Sequence, residues 1–313
     1  MKTILVTGAT GFVGTALCPA LGRTGYLVRR GVRRKLCDFD AVEVGEIGSD
    51  TDWCSALDGV ECVVHLAARV HVMKATANSL TEFRRVNVAG TERLARQAAQ
   101  QGVRRFIFLS SIKVNGEETV GVGFKERDRP QPQDAYGVSK WEAEQVLKKV
   151  SVETGMEVVI LRPPLVYGPG VRGNFLRLMK LVALAVPLPF GAVENRRDLV
   201  YVGNLVDAII ACLEHPAAAD QTFLVSDGES LATPELIRRL AQAMGKTPRM
   251  LRVPVFWFDW IGRVAGKATL QRLTGSLQID TAHIRTTLRW QPPYSVDAGL
   301  RATSQWFLAG HGR

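Results

Sequence analysis

The stretch "TILVTGATGFVG" (residues 3–14) decides the fold. Its strand-forming run, residues 3–7, leads into glycines at 8, 11 and 14, and a helical pattern follows. Gly8 permits a tight turn, Gly11 lets a pyrophosphate approach the backbone, and Gly14 lets the helix pack against the strand. The free N–H groups and the positive dipole end of that helix suit a phosphate. The stretch therefore predicts dinucleotide binding.

Apolar runs of strand length alternate with longer helical stretches up to about residue 165. Strands are predicted at 3–7, 26–32, 41–45, 62–67, 105–110 and 157–162, and helices at 12–22, 51–58, 79–101 and 134–154. This alternation is typical of an α/β protein whose parallel sheet is covered by helices on both faces. We predict a Rossmann doubly wound sheet in a dinucleotide-binding domain, residues 1–165. Residues 166–313 are predicted to form mainly a smaller mixed α/β substrate region, partly interleaved with that domain.

The second half of the chain has looser patterns. Residues 223–245 predict a strand, a turn and a helix, with Thr233 as the N-cap before Pro234. The stretch 253–266 predicts an amphipathic core helix or part of a substrate lid. Its apolar part and residues 181–190 are each shorter than the roughly 20 apolar residues that span a bilayer, so we expect no membrane span.

Composition and charge narrow the class of protein. The chain has 313 residues and a formal net charge of +10, which fits a basic surface or attraction of phosphorylated small molecules. No basic run is interleaved with aromatic residues, so we expect no nucleic-acid partner. The five cysteines are irregularly spaced, without a Cys-x-x-Cys or Cys/His cluster, which indicates a cytoplasmic protein and no metal site. We also expect no secretory signal.

The end of the second predicted strand bears on the choice of cofactor. About 20 residues beyond Gly14, where NAD-binding proteins usually have an acid, the chain has Arg33 and Arg34. These arginines would hold the 2′-phosphate of NADP or would be solvated surface residues. We predict NADP(H) in preference to NAD(H). Glu46, after the next strand, is either an acceptor for the adenine amino group or an exposed side chain.

A tyrosine and a lysine share one face of the predicted helix 134–154, because Tyr136 and Lys140 are four residues apart. A lysine close to a phenol, like an oxidised nicotinamide, favours the phenolate and lowers a pKa that starts near 10. Tyr136 is therefore predicted to act as an acid or base near neutral pH. Ser111 follows a predicted strand, at the edge where open α/β sheets place their ligands.

Four further segments accompany these three residues in order. They are "HLAA" (65–68), "VNVAGT" (86–91), "LRPPLVYGPG" (161–170) and "RRDLVYVGNLVDA" (196–208). With the glycine loop, they make nearly the whole chain resemble the extended short-chain dehydrogenase/reductase family, in its nucleotide-sugar epimerase, dehydratase and reductase branch. The resemblance implies an NAD(P)-dependent enzyme with a nucleotide-sugar substrate, UDP-linked by preference.

The resemblance implies a role for each matching residue. Ser111 would hydrogen-bond the substrate oxygen, Tyr136 would exchange the proton, and Lys140 would hold the nicotinamide ribose and tune Tyr136. Asn174 and Arg197 match positions that bind the nucleotide diphosphate, for which the fork of an arginine is well suited. The remaining cofactor contacts would be Gly8, Gly11, Phe12, Val13, Gly14, Ile47, Leu66, Ala67, Ala68 and Pro163.

The resemblance also implies structural features. Asn87 and Ser110 are expected to support the fold rather than the chemistry. Members of the family often dimerise through two long helices packed as a four-helix bundle. We therefore predict a homodimer through helices 79–101 and 134–154.

Two positions depart from the family pattern. Many relatives have a small neutral residue where this chain has Lys113, and a tyrosine where it has Asn115. Lys113 would either contact the sugar or a phosphate of the substrate, or point to solvent.

The stretch "SSIKVNG" (110–116) is most similar to bacterial reductases of UDP-linked 4-keto-6-deoxy-N-acetylhexosamines, which serve surface polysaccharide (O-antigen) synthesis. We therefore predict reduction of the C4 keto group, and Arg33 and Arg34 favour NADPH as the reductant. The alternative is a UDP-sugar 4-epimerase that retains NAD. A dehydratase is disfavoured because Ile112 and Lys113 offer no carboxylate beside Ser111. A reductase of a non-nucleotide carbonyl would leave the diphosphate positions unused, and a non-catalytic dinucleotide sensor would not need the Ser-Tyr-Lys set.

Overall fold

The computed structural model describes residues 1–34, 38, 40–70, 79–253 and 273–311. The strands are β1 (Thr3–Thr7), β2 (Leu27–Val32), β3 (Ala41–Glu43), β4 (Cys62–His65), β5 (Arg105–Leu109), β6 (Glu157–Arg162), β7 (Leu165–Tyr167), β8 (Leu199–Tyr201) and β9 (Thr222–Leu224). The helices are α1 (Phe12–Arg23), α2 (Cys54–Leu57), α3 (Ser79–Arg84), α4 (Gly90–Gln100), α5 (Ala135–Thr154), α6 (Gly173–Ala183), α7 (Val202–Glu214), α8 (Thr233–Ala243), α9 (Ala282–Leu288) and α10 (Val296–His311). A π-helical turn, Arg85–Ala89, joins α3 to α4, and short 3₁₀ turns span Ile112–Val114 and Pro216–Ala218.

All seven strands of the main sheet run parallel, in the order β3-β2-β1-β4-β5-β6-β9. The strand order reverses at the pairing of β1 with β4, whose ends meet at Thr7 and His65. Open α/β sheets bind ligands at such a switch point, beyond the carboxyl ends of the strands. The predicted fold class is confirmed, and it places the candidate site beyond β1, β4 and β5.

Helices cover both faces of the sheet because the strands are apolar on both sides. Ile4 and Val6 of β1 pack into a core with α1 and α7, whereas Leu5 packs into a second core with α2, α4 and α5. These three side chains are fully buried, and each such burial contributes roughly 1.5–3 kcal/mol. A third core packs α6, α8 and α10 around β7 and β8, which pair in a small second sheet.

The predicted elements differ from the observed ones mainly at their ends. Strands predicted at 41–45 and 62–67 each end two residues earlier, because the chain leaves the sheet to form the loops of the candidate site. Beyond residue 166, β9 joins the main sheet beside β6. The division into two domains near residue 165 stays a prediction.

The predicted capping of α8 by Thr233 is wrong. The helix begins at Thr233 with Ala232 at the N-cap position. Asn195, from a distant segment, accepts the hydrogen bond of the Thr233 N–H at 2.8 Å, while the Thr233 hydroxyl donates to the Leu273 carbonyl at 2.6 Å. A tertiary contact therefore replaces the local cap.

Two further expectations concern long apolar segments. The stretch predicted at 253–266 lies outside the described residues from residue 254 onward. Among the helices that the structure describes, none is both long and apolar enough to cross a membrane.

Candidate active site

Ser111 and Tyr136 lie on two elements in direct contact. Ser111 precedes the 3₁₀ turn, and its hydroxyl accepts a hydrogen bond from the Lys113 N–H at 3.3 Å. Tyr136 is the second residue of α5. The start of α5 packs on the turn so closely that a Cβ atom on Gly137 would lie 3.0 Å from the Lys113 carbonyl oxygen. The fold thus brings the two predicted catalytic residues onto adjoining elements.

Lys140 lies one helical turn after Tyr136 and is buried. Its ammonium donates to the Leu109 carbonyl at the end of β5 at 2.7 Å and lies 4.3 Å from the centroid of the Phe108 ring. Burial lowers the pKa of Lys140 to about 7, although the Glu144 carboxylate acts in the opposite direction. Near neutral pH the charge of this lysine therefore depends on what its ammonium contacts.

The protein groups around Tyr136 raise the pKa of its phenol. Desolvation is the larger cause, and the Asp134 carboxylate adds to it. The Lys140 ammonium is 6.0 Å from the Tyr136 ring centroid and is already bonded to a carbonyl oxygen. The expectation that Lys140 lowers this pKa does not hold for the protein groups taken alone, because burial and the Asp134 carboxylate both raise it. A phenolate at this position needs a further positive charge.

Asn87 is buried and supports the site, as predicted. Its side-chain oxygen accepts from the Arg69 N–H at 2.8 Å, and its amide nitrogen donates to the Ser139 hydroxyl at 2.9 Å. Ser139 in turn donates to the Tyr136 carbonyl at 2.8 Å. These bonds tie the loop at residues 66–69, with its predicted cofactor contacts, to the first turn of α5.

A buried ion pair lies behind the site. Arg162 at the end of β6 donates to both carboxylate oxygens of Glu144, one of them at 2.9 Å. Ser110 also donates to Glu144, and the Asn115 side-chain oxygen accepts from Arg162 at 3.0 Å. This network joins α5 to the ends of β5 and β6. Sequence reasoning misses Glu144 and Arg162, although an arginine ending an apolar strand was a signal that could have found the pair.

His65 crosses from β4 towards α4 and is another residue that sequence reasoning assigns no role. Its Nδ1 lies 2.6 Å from the Thr7 hydroxyl, and its Nε2 lies 3.0 Å from the Thr91 hydroxyl. Because Thr91 donates its own proton to the Asn87 carbonyl, we assign the imidazole proton to Nε2. Burial, with the charge of Lys140, lowers the pKa of His65 to about 3. The imidazole is therefore neutral across the physiological range.

The glycine loop has the shape that a dinucleotide phosphate requires. Gly8 has φ +69°, and a Cβ atom there would lie 2.7 Å from the Ala67 nitrogen. A Cβ atom on Gly14 would lie 2.4 Å from the Gly8 carbonyl oxygen. Among the described residues, no side chain caps α1 after Gly11, and its first turn has no acid. The N-terminus of α1, which includes Phe12 and Val13, therefore fits an anion.

The end of β2 is open to solvent. Arg33 and Glu46 form an ion pair at 3.7 Å in which each side chain is more than 70% exposed. Arg34 is also exposed, whereas Ile47 is buried and packs against Gly90. An ion pair this exposed contributes little to stability.

The predicted substrate residues lie on several elements. Asn174 is an exposed residue in the first turn of α6, and Arg197 is half-buried with its guanidinium donating to the Gly275 carbonyl at 2.8 Å. Phe12 packs against the core cluster that includes α6, and its ring lies 3.6 Å from the position of a Cβ atom on Gly170. The Pro163 carbonyl accepts from the Ile112 N–H at 3.0 Å, so Pro163 lies beside the turn that follows Ser111.

Lys113 is paired with acids rather than directed at solvent. Its ammonium donates to Glu117 at 2.8 Å and to Asp134. Asn115 is buried and donates to the Lys125 carbonyl at 2.8 Å. Within the part of the chain that the structure describes, no group of three or more His, Cys, Asp or Glu side chains could hold a metal ion.

Comparison with known proteins gives consistent matches over the whole chain. A UDP-glucose 4-epimerase from Vibrio cholerae is 48% identical over 319 aligned residues, which cover 100% of this chain and 97% of that protein. An N-acetyl-alpha-D-glucosaminyl-diphospho-ditrans,octacis-undecaprenol 4-epimerase from Escherichia coli O157:H7 is 27% identical, covering 97% of this chain and 94% of that protein.

A solved structure gives the same fold. A UDP-glucuronic acid 4-epimerase from Bacillus cereus in complex with NAD superposes with a TM-score of 0.81 at 24% identity, covering 99% of this chain and 98% of that one. Residues 4–226 match the NAD dependent epimerase/dehydratase family, as the resemblance implies. Together with the 48% identity to a full-length relative, this match shows that the chain belongs to the NAD dependent epimerase/dehydratase family.

Proposed function

We propose that the protein is a UDP-sugar 4-epimerase that retains NAD. The observation that carries this proposal is the 48% identity, over the full length of this chain, to a UDP-glucose 4-epimerase. The comparisons thus favour the alternative of the sequence analysis over reduction of a 4-keto sugar. The site geometry suits either reaction, because both exchange a proton and a hydride at C4.

The proposed reaction assigns the proton to Tyr136. The phenolate of Tyr136 would accept the proton of the C4 hydroxyl, and NAD, held at the glycine loop, would supply the hydride acceptor for oxidation of the sugar to a 4-ketone. Tyr136 would return the proton to the C4 oxygen as the ketone is reduced again from the opposite face of the sugar. Ser111 donates a hydrogen bond to the same oxygen throughout. Proton and hydride are both restored, so the cycle consumes no reductant.

The raised pKa of Tyr136 gives the cofactor a second role in this proposal. Burial and Asp134 hold the phenol protonated, and Lys140 has a pKa of about 7. The oxidised nicotinamide supplies a hydride acceptor and a positive charge when it is bound. That charge favours the phenolate, so Tyr136 becomes a base only beside the cofactor form that can accept hydride.

The glycine loop and the end of β2 would hold two parts of the dinucleotide, its central diphosphate and its adenosine ribose. The α1 N-terminus suits its diphosphate. NAD is favoured over NADP because the Glu46 carboxylate is paired with Arg33 and offsets its charge. The homodimer through the long helices, and the binding of a nucleotide diphosphate by Asn174 and Arg197, remain parts of the proposal.

Epimerisation without added cofactor tests the proposal. Purified protein is incubated with UDP-glucose or UDP-N-acetylglucosamine alone, and the C4 epimers are separated by chromatography. We expect both epimers at equilibrium with at least one of these substrates, and NAD as the nucleotide released when the protein is denatured.

The NADPH-dependent reductase is the second candidate, since Arg33 and Arg34 follow β2. It predicts the opposite result: no epimer, and stoichiometric loss of NADPH with a UDP-4-keto-6-deoxy-N-acetylhexosamine. That outcome would replace the epimerase proposal.

A further inference from the structure

Lys113 lies between the turn that carries Ser111 and the helix that carries Tyr136. Its ammonium contacts Glu117, four residues ahead in the sequence, and Asp134, which is 21 residues away. The side chain is 23% exposed, so most of its surface is removed from solvent. The ammonium therefore bridges two separate segments of the site.

Asp134 uses its two carboxylate oxygens for two different tasks. Oδ1 accepts the hydrogen bond of the Gly137 N–H at 2.7 Å and so caps the N-terminus of α5. Oδ2 accepts from Lys113. An N-cap of this kind stabilises a helix start because it satisfies a backbone N–H that has no partner within the helix. The cap that orders the first turn around Tyr136 is thus itself fixed by Lys113.

The backbone of Lys113 makes a second contact with the same helix. A Cβ atom on Gly137 would lie 3.0 Å from the Lys113 carbonyl, so the turn and the helix touch backbone to backbone. The Lys113 N–H also donates to the Ser111 hydroxyl at 3.3 Å. One residue therefore contacts Ser111, the residue after Tyr136, and the cap of α5.

Charged groups surround Tyr136 on every packed element. Asp134 caps α5, Lys140 lies on it, and Lys113 and Glu117 lie on or beside the 3₁₀ turn. Phe83 of α3 packs on the ring at 6.2 Å, and the adjoining charges on that helix are Glu82 and Arg84, the latter paired with Glu142 of α5. Of these groups, the Asp134 carboxylate raises the pKa of Tyr136. Lys113 is the cation that pairs with this carboxylate.

From these contacts we propose that Lys113 is a positioning residue. It holds Ser111 and Tyr136 in a fixed position relative to each other, and it neutralises the Asp134 carboxylate beside the phenol. The inference rests on the proposed function, in that Tyr136 is taken to exchange the proton. It assigns Lys113 neither to the substrate nor to solvent, the two roles that the sequence allowed. Its ammonium already has two carboxylate partners, and binding a phosphate would require it to leave them.

The test compares Lys113→Met with Lys113→Arg, Asp134→Asn and the double variant Lys113→Met/Asp134→Asn. Asparagine caps helices as well as aspartate does, so Asp134→Asn removes the charge while keeping the cap. We expect Lys113→Met to lower kcat about tenfold at neutral pH, with KM for the UDP-sugar unchanged, and to move the rising limb of the pH profile to higher pH. Lys113→Arg is expected to retain most of the parent kcat. In the Asp134→Asn background, the Lys113→Met substitution should have little further effect on the pH profile.

Two results would overturn the proposal. One is an unchanged kcat and pH profile in Lys113→Met. The other is a raised KM at unchanged kcat, which would make Lys113 a substrate-binding residue instead.

A readout without turnover separates this inference from the proposed function. The tyrosinate absorbance of the NAD-bound protein, minus that of its Tyr136→Phe counterpart, reports the phenol between about pH 6 and pH 10. It should titrate at higher pH in Lys113→Met than in the parent, whether or not the protein epimerises UDP-sugars. Identical titrations would reject the role of Lys113, and failure of the parent to epimerise would reject only the proposed function.

Discussion

The two ion pairs that flank the candidate site have the same chemistry and opposite surroundings. The Arg162–Glu144 pair behind the catalytic helix is at most 2% exposed on either side, whereas the Arg33–Glu46 pair at the end of β2 is more than 70% exposed on both. A buried charge that loses its partner is strongly destabilising, whereas an exposed pair contributes little. The comparison indicates that the helix carrying Tyr136 rests on a buried ion pair whose loss would destabilise the fold. The exposed pair at the end of β2 can be substituted at little cost in stability.

Removing the Tyr136 hydroxyl tests the chemistry assigned to the helix that the buried ion pair supports. In Tyr136→Phe we expect kcat to fall about 10²- to 10⁴-fold, because the proton transfer loses its acid and base. NAD content and the unfolding midpoint should stay near those of the parent.

The matched control is Tyr294→Phe, which removes a hydroxyl from a half-exposed ring packed on Tyr201. It should keep full activity. A Tyr136→Phe variant with near-normal turnover would remove Tyr136 from the mechanism.

Removing Arg162 from the buried ion pair tests how much that pair contributes to the free energy of unfolding. Arg162→Met should lower the free energy of unfolding by about 3–5 kcal/mol, because it leaves the Glu144 carboxylate buried with one cation fewer. Urea unfolding measures this loss.

The control is Arg96→Met, which removes exposed ion pairs with Glu92 and Glu153 whose side chains are all 38% to 40% exposed. We expect it to cost less than about 1 kcal/mol. Equal losses in the two variants would contradict the contrast between buried and exposed pairs.

The sequence predicts the parts of this structure that depend on local patterns. The glycine loop, the alternating strands and helices, and the four-residue spacing of Tyr136 and Lys140 are all readable from short windows. β1 was recognisable as a continuous run of apolar residues, buried on both faces of the sheet, that glycine ends.

The parts that the sequence does not predict depend on distant partners. Thr233 looks like an N-cap, but Asn195 supplies the bond from 38 residues away. Lys113 departs from the family pattern, and its partner Asp134 becomes visible only once the turn packs on α5. The pKa of Tyr136 depends on burial by several elements, which a Tyr-x-x-x-Lys spacing does not report.

The buried region also gives the stability a pH dependence through His65. Its pKa falls from the ordinary 6.5 to about 3 in the fold. Between about pH 3 and pH 6.5 the unfolded chain therefore binds a proton that the folded protein excludes, and stability falls as the pH falls. The loss should reach about 3 kcal/mol by pH 4.

Urea unfolding at pH 7 and pH 4 measures this dependence. His65→Gln replaces the imidazole with a non-titrating side chain that still donates and accepts, and it should lose about 3 kcal/mol less between the two pH values. The same pH dependence in both proteins would show that other groups control acid stability.

Substitutions at the exposed end of β2 should change the affinity for a cofactor and hardly change the free energy of unfolding. We expect Arg33→Ser/Arg34→Ser to change the free energy of unfolding by less than about 0.5 kcal/mol, because both side chains are solvated. Affinity for NAD should stay the same, and affinity for NADP should fall about three- to tenfold, since Glu46 already offsets Arg33 and water screens what remains. Titration of cofactor-free protein with each dinucleotide measures both affinities.

Glu46→Gln is the matched variant: it frees Arg33 and should strengthen NADP binding. A loss of NADP affinity beyond about hundredfold in the double arginine variant would mean that this open edge specifies NADP after all, and it would return the reductase to first place.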